Sequence, residues 1–86
     1  MVKLRIRSMA KLQNIVGPQV RKLRYQAGIT QDGLAARCGV LGWDLSRATL
    51  SKIEAQLRCV TDVELDILAK ALRVGIVHLY PKGRRR

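Results

Sequence analysis

The sequence predicts an all-α protein, a compact bundle of about five short helices. Three observations lead there. Between Val16 and Leu79 the apolar residues recur at three- and four-residue spacing, the period of helices packed by one face. Hydroxyl residues stand immediately before three of these runs, at Thr30, Ser46 and Thr61, where helices take their N-caps. No segment in that span reads convincingly as a central strand. The chain of 86 residues, 48% of them hydrophobic, suits one packed domain and leaves little room for a second core.

The elements follow in order. The opening VKLRIR alternates strictly, with Val2, Leu4 and Ile6 against Lys3, Arg5 and Arg7. Period two fits an extended arm or edge strand, and a frayed basic tail fits equally well. From Val16 the period changes. Val16, Val20, Leu23 and Ala27 share a helical face, Pro18 suits the first turn, Gly28 suits the stop, and Arg21 and Lys22 face solvent. Thr30 caps a second helix, Gln31–Cys38, with Leu34, Ala35 and Cys38 inward and Gly39 as its end.

A turn of unusual length follows, Leu41-Gly42-Trp43-Asp44-Leu45, holding the only tryptophan. Ser46 then caps a third helix running to about Ala55. At 100° per residue Leu50 and Ile53 share one face, while Arg47, Ala48, Ser51, Lys52 and Ala55 share the other. Thr61-Asp62-Val63-Glu64 is a capping box opening a fourth helix with Leu65, Leu68, Ala69 and Leu72 inward. Gly75 is expected to break it, and Ile76–Tyr80 to add one apolar turn before Pro81 and the tail KGRRR. The expected division is a basic arm over 1–16, a helical domain over 17–80 and a basic tail over 81–86.

Charge narrows the partner. The formal total is +11, and it is uneven. Residues 1–31 carry seven Lys/Arg and no acid, residues 32–66 carry all six acids against four bases, and residues 67–86 carry six more bases. Such a field favours a polyanion, either nucleic acid or an anionic membrane surface. Two cysteines and one histidine, none at metal-ligand spacing, argue against a zinc site or a disulfide scaffold, so no metal or cofactor is expected. No apolar run approaches a membrane span and no secretory signal is evident, which points to a cytoplasmic protein. One histidine and scattered acids offer no base, nucleophile and orienting group, so enzyme activity is not expected.

Three blocks in order, TQDGLAARCGV, SRATLSKIE and TDVELDILAKALRV, resemble the Cro-type, lambda-repressor-like (XRE) helix-turn-helix family across roughly residues 17–80. The resemblance implies that the third helix enters the major groove of double-stranded DNA. A helix of that kind needs an apolar stripe to anchor it and an opposite stripe of small or hydrogen-bonding residues to meet base edges, a division that the third helix has. Arg47 and Lys52 are then candidates for guanine or phosphate, Thr49 and Ser51 for short polar contacts, and Ala48 permits close approach. The resemblance further implies phosphate contact by Gln31 at the start of the second helix and a backbone or minor-groove contact by Arg58. It also implies a structural ion pair between Arg24 and Glu54. The sequence departs from the family at the turn, since in a typical member the third helix starts almost directly after the equivalent of Gly39-Val40. Trp43 is expected to lie as a lid over the two helices, with Leu41 and Leu45 anchoring the loop ends.

The function expected is sequence-specific DNA binding by a small transcriptional repressor, a homodimer on a palindromic operator with no small-molecule ligand evident. Its dimer surface is expected at Ile76, Val77, Leu79 and Tyr80 or in the N-terminal arm. An antitoxin or restriction-system controller would look the same. A non-specific nucleic-acid or anionic-surface binder driven by the basic ends is the main alternative, weakened by the scarcity of aromatics for base stacking.

Overall fold

The computed structural model describes residues 12–81. The alternating arm and the KGRRR tail lie outside the described residues. Four α-helices, α1 (Gly17–Gln26), α2 (Gln31–Val40), α3 (Arg47–Glu54) and α4 (Asp62–Leu72), are followed by a 3-10 turn at Ile76–Leu79. No strand occurs among the described residues. The expected fifth helix is thus a single tighter turn.

The helix starts are local in origin. Thr30 Oγ1 accepts the Gly33 N–H at 2.9 Å, and Ser46 Oγ accepts that of Thr49 at 3.1 Å. The capping box is complete: Thr61 Oγ1 accepts from the Glu64 N–H, and Glu64 Oε1 accepts from the Thr61 N–H. Each bond satisfies an amide that the first helical turn leaves without a partner.

The ends agree with expectation in α1, at Gly28, and in α3, at Ala55, and differ in α2 and α4. All four helices close in the same double bond, with a left-handed residue just past the last turn. Gly28, Gly42, Gln56 and Arg73 take that conformation, at φ of 72°, 98°, 66° and 60°. In α2, for example, the Gly42 N–H bonds the Gly39 carbonyl at 3.0 Å and the Trp43 N–H bonds that of Cys38 at 2.9 Å. Gly39 is therefore inside α2 and Gly42 is its stop. Likewise Arg73, not Gly75, ends α4, its N–H on the Lys70 carbonyl and that of Val74 on the Ala69 carbonyl. A left-handed residue with a side chain costs about 1–2 kcal/mol that glycine avoids. Arg73→Gly should stabilise the fold by about 1 kcal/mol after glycine's extra unfolded-state entropy is allowed for, which urea unfolding would register as a higher midpoint at unchanged slope.

The core lies where the four helices meet, around Val20, Leu34, Leu50, Ile53, Leu68 and Leu79, all fully buried. Cys38 joins it, and burial pushes its thiol up to about 11. Cys59 is exposed, its Sγ donating to Gln13 Oε1 at 3.3 Å, and both cysteines are free. Leu79 is buried and so does not contribute to an apolar outer surface, whereas Ile76, Val77 and Tyr80 are exposed.

In the long turn, Leu45 is buried and Trp43 packs half-buried against the core. Leu41 does not anchor its end of the loop. It is 44% exposed, because the α2 stop turns the chain at Gly42 before a side chain can re-enter the core.

Candidate nucleic-acid interface

Between the buried Leu50 and Ile53 and the solvent, α3 is divided as its periodicity dictates. Arg47, Ala48, Ser51 and Lys52 are exposed, and Thr49 is half-buried at the edge. Its Oγ1 accepts from Ser46 Oγ at 3.0 Å, which leaves the threonine hydroxyl proton free to donate outward. The exposed stripe holds two cations, two short hydroxyls and a methyl, with no large apolar side chain.

What lies behind this stripe fixes its direction. Arg24 of α1 meets Glu54 of α3 in a fork, Nε to Oε2 at 2.7 Å and Nη2 to Oε1 at 3.0 Å, with side chains only 6% and 4% exposed. The carboxylate holds Arg24 further above its ordinary range, the hydrogen bond outweighing the cost of burial. A third Arg24 donor reaches the Ile29 carbonyl. Gln31 of α2 completes the junction, its Nε2 donating to Glu54 Oε1 at 3.0 Å. One amide proton of Gln31 is thereby used, and the second remains for an outside acceptor. No buried side-chain polar atom among the described residues lacks a partner.

The segment before α1, grouped with the arm in the sequence, grips the same C-terminal end of α3. Asn14 Nδ2 donates to the carbonyls of Ile53 (3.1 Å) and Arg58 (2.8 Å), while its Oδ1 accepts the Gly17 N–H at 2.7 Å. The Gln13 N–H bonds the Gln56 carbonyl, and Gln56 Nε2 returns to the Asn14 carbonyl. Asn14 thus links the first amide of α1 to a carbonyl in the last turn of α3 with one side chain.

Sequence reasoning missed Arg21. Its periodicity marks it only as outward-facing, but it lines one cleft with Thr30, Gln31 and Arg47, and a second with Gln31, Ser51 and Ala55. Tyr25 stands beside it, with the Arg21 and Arg24 guanidinium carbons 5.1 Å and 4.7 Å from the ring centre. The hydrogen bond from Arg21 Nη2 to the tyrosine hydroxyl, 3.3 Å, holds that phenol below its usual range. Gln31, Arg47 and Ser51 therefore share a surface with Arg21, and Ala48 and Lys52 adjoin on the same helix face. Only the tertiary approach of α1 to α3 brings Arg21 there.

Arg58 stands apart from that group. Its guanidinium forks onto Glu64, Nη1 to Oε1 at 2.9 Å and Nη2 to Oε2 at 3.0 Å, and Nη1 also reaches the Cys59 carbonyl. The same guanidinium lies over Trp43, 5.9 Å from the ring centre.

Charge is partitioned as well. Residues 12–81 hold nine Lys/Arg and six Asp/Glu, so eight of the 17 cations lie in 1–11 and 82–86. Within the described residues Arg24, Arg58 and Lys70 are paired with carboxylates. No helix there is long and apolar enough to cross a membrane.

Comparison with known families agrees with this geometry. A family model described as helix-turn-helix matches residues 20–79, which spans all of α2, the turn, α3 and α4 and most of α1. No curated protein and no solved structure matches the chain. With the matched span covering well over half the sequence and its helices in the required order, the chain belongs to the XRE-type helix-turn-helix family of DNA-binding proteins.

Proposed function

We propose that this protein is a small cytoplasmic transcriptional regulator, a repressor that reads a palindromic operator as a homodimer by placing α3 in the major groove. The observation that carries this reading is the pairing of a polar, exposed stripe on α3 with a buried ion-pair junction behind it. A helix held so firmly and presenting no apolar anchors suits base edges better than a protein partner. Arg47 and Lys52 take guanine edges or phosphates, Thr49 and Ser51 make short polar contacts, and Ala48 lets the helix approach. Gln31 gives its second amide proton to a phosphate at the start of α2, and Arg21 adds a phosphate contact from α1. The eight cations of the chain ends add affinity that does not depend on sequence. A dimer would set two copies of α3 about 34 Å apart, one turn of the duplex, with Ile76, Val77 and Tyr80 as the exposed apolar residues available to join them.

The test is selection of bound duplexes from a random pool across a salt series. An enriched inverted repeat is expected. Arg47→Ala with Lys52→Ala should cost about 1–3 kcal/mol per lost base contact on that site and far less on random duplex. Steeply salt-dependent binding with no enriched sequence would mean that the charged ends dominate, and would sink the operator reading.

A further inference from the structure

The long turn before α3 and the loop after it touch each other. Trp43 precedes α3 and packs against the core, while Arg58 follows α3 and lays its guanidinium over the indole at 5.9 Å. Arg58 is itself held by the two-bond fork to Glu64, which also closes the capping box of α4. Its third hydrogen bond goes to the Cys59 carbonyl. Three of the five donor protons of this guanidinium and one of its faces are thus engaged inside the protein. The Glu64 carboxyl lies below the usual range because Arg58 hydrogen-bonds it. A phosphate reaching for Arg58 would have to compete with a carboxylate already in bidentate, charge-assisted contact.

The turn needs such a fastening. Lengthening a loop costs little entropy, about 0.6 kcal/mol per doubling, but the added residues leave the entry angle of the next helix less defined. Leu41 is exposed and fixes nothing. The α2 stop at Gly42 and the buried Leu45 hold the turn near its ends, and Trp43 is the side chain between them that meets another loop.

We propose that Trp43, Arg58 and Glu64 form a bracket that sets the angle of α3 by tying together the two linkers that flank it, so that Arg58 is a positioning residue and not a DNA contact. The bracket rests on the reading of α3 as the DNA-binding helix. It replaces, with three side chains, the constraint that a short turn supplies by its length.

The test uses the full chain with Arg58→Ala, Trp43→Ala, Trp43→Phe and Glu64→Gln, each measured on the selected duplex and on random duplex over a salt series, with thermal unfolding alongside. Glu64→Gln keeps a residue able to close the capping box while removing the charged fork. Arg58→Ala, Trp43→Ala and Glu64→Gln should each reduce the preference for the selected duplex roughly tenfold, the scale of one imperfectly made base contact, at unchanged salt slope. Trp43→Phe should retain the preference, and Trp43→Ala with Arg58→Ala should lower the melting temperature less than the two single losses together. A salt slope that falls by about 1 in Arg58→Ala alone would identify a phosphate contact and overturn the bracket. Lower melting with the preference intact in all three variants would overturn it too, leaving a merely structural cluster. A parent chain with no sequence preference would instead defeat the operator reading. The bracket's role in DNA reading would fall with it, although non-additive melting would still show the three side chains acting as one.

Discussion

Glu54→Ala is expected to lower the stability of the fold by about 3–5 kcal/mol, because it strands a buried guanidinium. Arg24 would keep its bond to the Ile29 carbonyl but lose both bonds to the carboxylate, at a place where its side chain is only 6% exposed. Gln31 would lose its acceptor in the same step. The direction of the asymmetry is informative. Removing one member of a buried pair costs more than removing both, since an apolar pair of similar size has no charge to leave unsolvated. Arg24→Met with Glu54→Leu should therefore recover much of the loss in urea unfolding, while Glu54→Ala alone should not. Glu64→Ala is the natural contrast, because its partner Arg58 is 34% exposed and water can screen what remains. A Glu54→Ala protein within 1 kcal/mol of its parent would mean that the junction of α1, α2 and α3 is wetter than its geometry implies.

That junction also separates what local sequence carries from what it does not. Thr30, Ser46 and Thr61 are legible as caps because the bond that each makes lies within three residues, so composition and spacing hold all the information. The division of α3 into buried Leu50 and Ile53 and an exposed polar stripe is equally local, a matter of 100° per residue. The helix ends are less so. Gly39 and Gly75 look like stops, yet α2 and α4 end at Gly42 and Arg73, because the left-handed residue falls where packing of the preceding turn finishes. Arg24 and Glu54 are named as a pair by family resemblance, since nothing in their own neighbourhoods announces a contact across 30 residues. Arg21, Asn14 and the exposure of Leu41 had no such help. Each depends on how α1 and the α2 stop sit against the rest of the chain, which periodicity does not encode.

Gly17 illustrates the same point with the opposite sign. By helix propensity alone, Gly17→Ala at the start of α1 should be neutral or should stabilise by up to about 1 kcal/mol. The packing dictates otherwise. A methyl group there would overlap the carbonyl oxygen of Ile53, lie 2.9 Å from that of Glu54, and press on Asn14 Oδ1 at 3.1 Å. The first two are backbone atoms at the end of α3, and neither can swing aside as a side-chain tip would. The N-terminus of α1 approaches the C-terminus of α3 this closely because no Cβ intervenes, and Asn14 bonds both the Gly17 amide and the Ile53 carbonyl across the approach. Gly17→Ala should therefore cost about 3 kcal/mol, the upper part of the range for overpacking, and lower the melting temperature by on the order of 10–20 °C. If α3 yields instead of the fold, the loss of melting temperature will be smaller and binding to the selected duplex will fall in its place. A variant as stable as its parent, with binding unchanged, would mean that α1 does not hold α3 at this contact. Glycine would then be dispensable at the site where this fold leans on it hardest.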